Sequence, residues 1–162
     1  MDFTETPKLV MGWSNTEIVI STGFGTLYQW HLTSFKGPDE KVNYENVYGQ
    51  GTTPVGVKKG RKEIPTGKMT MRKDDWIDLE LTAQNQGLKV TDLVYTIVRT
   101  IGKQPTSTGD TEKTKYLEVT TFANVKISEY TDPENKEGEG ELLVDATLIF
   151  GSPPVKVNTP VV

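Results

Sequence analysis

The 162-residue chain has no cysteine, so neither a disulfide framework nor a thiolate zinc centre is open to it. It has a single histidine, His31. One imidazole on the polar side of an alternating segment, with no nucleophile motif near it, makes no catalytic triad and reads as a structural or solvated side chain. No apolar run approaches the ~18 residues that a membrane-spanning helix needs. The opening residues MDFTETPKLV lack the basic-then-apolar order of a secretory leader. The expectation is a chain made in the cytoplasm, without membrane insertion. Signatures of serine hydrolases, zinc peptidases and calcium-binding loops are also missing. The nearest approach to a phosphate loop, Gly60-RKEIPT-Gly67-Lys68-Met69, spaces its glycines too widely and has Met69 where the magnesium-binding hydroxyl belongs. The paired carboxylates Asp74-Asp75 fit a helix N-terminus better than acid–base chemistry. No catalytic residue, metal ligand or cofactor is expected, and an enzyme is not the reading.

What charge there is lies unevenly. The formal net charge is −4, which argues against a domain built to grip nucleic acid. From Lys58 to Lys68 five basic residues (Lys58, Lys59, Arg61, Lys62, Lys68) face one acid, Glu63. From Glu129 to Asp145 seven acids (Glu129, Asp132, Glu134, Glu137, Glu139, Glu141, Asp145) face one base, Lys136. These stretches are either solvated loops or opposite patches that meet across a subunit boundary, where complementary charge sets register.

The length suits one domain, residues 1–162, with room for a sizeable core. Its patterning is mostly of period two, the mark of half-buried strands. Leu9–Trp13 and Ile18–Ile20 are short apolar runs. From Thr26 to Phe35, Tyr28, Trp30 and Leu32 share a face. Leu93–Ile101 carries apolar or β-branched residues on both faces and so predicts a central strand. Leu117, Val119, Ala123, Val125 and Ile127 alternate with polar residues, Phe122 being the exception. Val144, Ala146, Leu148 and Phe150 line the returning strand, so these last two form an antiparallel hairpin around the polar turn Asp132–Gly140. One helix is expected, at about 74–86: Trp76, Leu79 and Ala83 recur at helical spacing, Ile77 and Leu81 widen the stripe, and Gly87 ends it. The residues 151–162, GSPPVKVNTPVV, hold three prolines. They exclude a helix or a central strand and predict an arm. The predicted fold is mainly β, an antiparallel β-sandwich or half-open barrel with one α-helix and a long extended projection at about 40–68.

That projection organises the rest. It alternates through Val42 and Tyr44, turns at Tyr48-Gly49-Gln50-Gly51, and runs through the basic, Pro/Gly-punctuated stretch Pro54 to Lys68 before Lys68-Met69-Thr70-Met71 leads into the helix. A strand ending V-Y-G-x-G, then P-x-G, the pair Gly60-Arg61, and T-G-K-M-T-M before K-D-D-W-I-D-L resembles the tail tube protein of contractile-tailed bacteriophages. It is also similar to the needle-tube proteins of type VI secretion systems. The likeness covers roughly the middle quarter of the chain, and order and spacing carry it more than any one motif.

The resemblance implies a structural, virion-borne subunit, assembled in the host cytoplasm. It implies homohexameric rings stacked into a tail tube that conducts double-stranded DNA without binding it. Sheath, tape-measure and baseplate proteins are the implied partners. Subunit contacts are expected at Tyr44, Tyr48, Gly49, Gly51, Pro54, Gly56, Lys58, Lys59, Gly60 and Arg61. A conduit should repel phosphate, so lumen-facing acids are expected among Asp39, Glu40, Glu45, Glu118 and Asp145. Two alternatives stand beside this. One keeps the fold in a secretion needle, baseplate or tail-completion role; the other is a monomeric β-sandwich module that binds a small ligand or carbohydrate through its loops.

Overall fold

The computed structural model describes residues 12–39, 44–60, 65–102, 116–138 and 140–160. Ten strands and one helix account for most of them: β1 (Thr16–Thr22), β2 (Gly25–Tyr28), β3 (Leu32–Lys36), β4 (Tyr44–Tyr48), β5 (Pro54–Lys59), β6 (Thr66–Arg72), α1 (Lys73–Gln84), β7 (Tyr95–Ile101), β8 (Tyr116–Thr131), β9 (Leu143–Phe150) and β10 (Val155–Pro160). Eight strands form one antiparallel sheet in the order β2-β1-β7-β8-β9-β6-β3, with β10 alongside β8. Among the described residues the strands β4 and β5 pair only with each other.

The two ends of the sheet are neighbours in the chain. Between β2 and β3 stand only Gln29–His31, a single 3₁₀ turn. Three residues reach about 10 Å, so the sheet must roll until its ends approach. The ladder does not close between them among the described residues, and the result is a half-open barrel, within the predicted class. The reading of Thr26 to Phe35 as one strand is corrected here. The turn at Gln29–His31 interrupts it, and its halves pair with β1 and β6 at opposite ends of the sheet. His31 has a structural place in that turn: its Nδ1 accepts the Tyr28 N–H at 3.0 Å, and its ring lies over the Tyr28 ring.

The roll depends on β8, the longest strand. Its first half pairs with β7 on one side and β10 on the other, and its second half pairs with β9. At the junction Asn124 takes φ 54, a left-handed conformation that Asn tolerates better than most residues. The irregularity turns the side-chain phase over. Thr120 and Phe122 are buried before it, Val125 and Ile127 after it. The expectation that Val119 shares the core face with Val125 and Ile127 is therefore corrected: Phe122 is a core residue, and Val119 lies on the outer face. Val144, Ala146, Leu148 and Phe150 are all buried on β9, as the alternation predicted.

Arg72 hands β6 straight to α1, where Asp74 and Asp75 occupy the first turn, the end at which the helix dipole favours negative charge. At the other end Gly87 has φ +71. The Leu88 N–H donates to the Ala83 carbonyl at 2.9 Å and the Gly87 N–H to the Gln84 carbonyl at 2.9 Å, closing the last turn in a Schellman motif. Trp76, Leu79 and Ala83 are buried against the sheet, whereas Ile77 and Leu81 are about half exposed. The apolar stripe is thus narrower than expected. The core joins these helix residues to Ile18, Ile20, Met69, Met71, Leu93, Tyr95, Ile97 and the β8–β9 set.

Two further expected segments take definite form. The projection contains a two-stranded hairpin between Tyr44 and Lys59. The proline-rich arm is β10, a strand laid antiparallel along β8 from Val155↔Thr121 to Pro160↔Tyr116. Val42, Glu40, Arg61 and residues 104–114 lie outside the described residues.

Candidate subunit interface

The hairpin β4–β5 is inserted between two strands of the main sheet that pair with each other, β3 and β6. Its register runs from Tyr44↔Lys59 to Val47↔Gly56, then shifts at Tyr48↔Pro54. Alternation places Tyr44, Asn46 and Val57 on one face, with Lys59 at its base. The opposite face holds Glu45, Val47, Gly56 and Lys58. Every residue of both strands is exposed. Tyr44 is 62% exposed, Tyr48 55%, Val55 72% and Val57 65%.

An isolated two-stranded hairpin is marginal in water, and among the described residues every position of both strands is exposed. Its ion pair, Lys58 to Glu45 at 3.8 Å, is solvated and contributes little. Covering the exposed share of these four side chains would return roughly 4–8 kcal/mol, before ordering costs, on the scale of about 1.5–3 kcal/mol per fully buried side chain. The turn between the strands, residues 49–53, includes Gly51 at φ +112, a conformation glycine adopts without strain. The hairpin is therefore shaped and exposed, and among the described residues nothing covers its Tyr44, Tyr48, Val55 and Val57.

Of the expected contact residues, the structure brings Tyr44, Tyr48, Gly49, Gly51, Pro54, Gly56, Lys58 and Lys59 onto this one element, with Gly60 at its base; Arg61 is outside the described residues. Val55 and Val57 were not singled out. Their signal was present in the V-G-V alternation after Pro54, but two valines among glycines and lysines read as a connection.

The acids are not brought together. Asp39 bonds Lys36 at 3.2 Å, and Glu45 sits on the hairpin. Glu118 pairs with Arg99 at 3.6 Å, half-buried; that guanidinium in turn lies 5.4 Å over the Phe122 ring. Asp145 is on the outer face of β9 and accepts the Thr70 hydroxyl at 2.6 Å. Glu40 is outside the described residues. In the acidic stretch, Asp132 pairs with Lys73 at 3.1 Å and Glu141 with Arg72 at 2.6 Å.

A cleft of about 180 Å³ opens between α1 and the β1–β2 hairpin, lined among others by Ile20, His31, Asp75, Asp78 and Tyr95. Among the described residues no group of His, Cys, Asp and Glu side chains is placed to hold a metal ion.

The sequence matches no protein-family model and no curated protein. Solved structures do match in shape. A chain of the cryo-EM structure of the anti-feeding prophage cap, the tube-terminating cap, aligns at TM-score 0.57 and 14% identity over 99% of this chain and 100% of that one. A chain of the sheath-tube complex of the PVC extracellular contractile injection system, in the extended state, aligns at TM-score 0.53 and 14% identity over 98% and 95%. One from the sheath/tube terminator of the same system aligns at TM-score 0.54 and 15% identity over 95% and 99%. These span the half-open barrel and the hairpin alike, so the resemblance read from the hairpin and its flanks extends to the whole fold: this chain has the fold of chains found in tube, cap and terminator structures of contractile injection machines.

Proposed function

We propose that the chain is a non-catalytic structural subunit of a phage-type tail tube, assembling through its hairpin into stacked hexameric rings around a conduit for DNA. The observation that carries this is the hairpin itself: an exposed element whose Tyr44, Tyr48, Val55 and Val57 are left uncovered among the described residues, on a fold shared with tube and terminator structures. A second copy supplies the cover, and repetition around a ring satisfies every hairpin in turn. The open edges of the sheet support the same reading, because unpaired edges are either blunted or used for assembly. Sheath, tape-measure and baseplate proteins are the partners this role requires, and the virion tail is its place.

In a conduit the acid excess belongs on the inner wall, since lysines there would exchange with phosphate counterions and hold what should pass. Asp145, carried on an exposed sheet face, suits that place better than Glu118, which Arg99 neutralises.

Deleting Gln50 to Lys59 tests the proposal. The expected product is a folded subunit that no longer polymerises, read by circular dichroism and negative-stain microscopy. Polymers of ordinary length from that deletion would sink it. The end-to-end match to a tube-terminating cap favours a second reading, a ring that ends a tube. Single rings without stacks in the intact protein would select it, and a monomer would select the ligand-binding module instead.

A further inference from the structure

Among the described residues, the strand β10 is attached to its own chain by little more than a hydrogen-bond ladder. All six residues from Val155 to Pro160 are exposed, Val155 at 63% and Val157 at 56%. It continues the direction of β9 along β8, but the two are separated by residues 151–154, Gly-Ser-Pro-Pro. Here the Gly151 N–H donates to the Asn124 carbonyl at 2.9 Å and the Asn124 side-chain amide to the Ser152 hydroxyl at 2.6 Å. Two adjacent prolines fix φ and restrict the residues before them, and Asn124 opposite is in the left-handed region. The link is short and stiff, and a short hinge is the condition that invites exchange of an element between copies.

The acceptor is equally defined. Without β10, the β8 edge from Tyr116 to Thr121 would present a row of open backbone groups beside Leu117, Val119 and Thr121. Such an edge seeks a strand. The register Val155↔Thr121, Val157↔Val119, Thr159↔Leu117 shows which strand fits it.

We infer that the β8 edge is a strand-acceptor site whose occupant in the assembly is β10 of a second copy, exchanged across residues 151–154. The occupant follows from identity: a second copy's β10 makes the same ladder as the chain's own, so exchange keeps the ladder, puts at stake only the Gly151 and Ser152 bonds to Asn124, and joins the two subunits. The inference rests on the self-assembly proposed above, but it assigns a different element to the joint.

The absence of cysteine makes the test clean. Cross-strand partners in an antiparallel ladder have Cα atoms about 4.5–5.5 Å apart, within disulfide reach. Full-length Thr121→Cys and Val155→Cys chains are mixed, assembled, oxidised and run on a non-reducing denaturing gel. A mixed covalent dimer, absent when either variant is oxidised alone, is the expected result. The double variant should then give a ladder of covalent multimers from assemblies and closed single chains from dilute subunits. Closed single chains from assemblies, with no mixed dimer, would overturn the inference. The pair Val119→Cys and Val157→Cys repeats the test should the first impair folding. Microscopy of the same samples separates the two proposals. Stacked rings with only single-chain links leave the tube standing and remove the exchange; mixed dimers without rings do the reverse.

Discussion

Among the described residues Trp76 is the largest side chain wholly inside the core, and its ring stands 4.8 Å from that of Tyr130 at the far end of β8. It fastens the helix to the sheet, so Trp76→Ala should lower stability by ~3–5 kcal/mol, read as a fall in denaturation midpoint. An unchanged midpoint would mean that the helix is held by something else. Tyr95 shows the same burial with a polar consequence. Its hydroxyl donates to the Val90 carbonyl at 3.3 Å, and burial pushes the phenol well above its ordinary value of 10.0. Above pH 10 the unfolded chain therefore releases this proton while the folded chain keeps it, and stability falls as pH rises. Below that pH the contribution is fully present. Tyr95→Phe should cost about 1 kcal/mol at neutral pH through the lost hydrogen bond and should remove this tyrosine's share of the alkaline decline, measured by denaturant titration from pH 7 upward.

At the level of elements, Asn124 decides how β8 serves two parts of the sheet. Asn124→Gly should be tolerated within about 1 kcal/mol, whereas a β-branched residue such as Val should cost at least ~1–2 kcal/mol, because it resists positive φ. Thermal denaturation of the two variants checks this; equal stability would show that the bulge relaxes freely. The same residue marks where sequence reading stops. Alternation along Leu117–Ile127 predicted a strand correctly, yet a single positive-φ residue inverts the phase, and Phe122, which looked anomalous, was the sign of it. The turn at Gln29–His31 was hidden for a similar reason: Tyr28, Trp30 and Leu32 keep period two across a break made by backbone geometry. By contrast α1, the β8–β9 hairpin and the core face of β9 were legible, because burial there is continuous and local. The hairpin β4–β5 was legible as a projection from its glycines and charges. Its apolar face was not, since a face exists only once the register of two strands is known.

For the molecule as a whole, the hairpin's position matters as much as its surface. Lys36 at the end of β3 pairs with Lys68 near the start of β6, so folding must close a loop of about thirty residues to make that contact. A four-residue turn would close the same contact about three doublings more cheaply, at ~0.6 kcal/mol each. The hairpin thus burdens the free subunit with closure entropy while every residue of its two strands stays exposed. Replacing residues 44–60 and their flanks with a tight turn should raise the stability of the monomer by about 1–2 kcal/mol, measured by denaturant unfolding, and speed its folding. The free chain is made looser by the very insertion that a neighbouring copy would hold, and thermodynamic solitude is what it gives up for assembly.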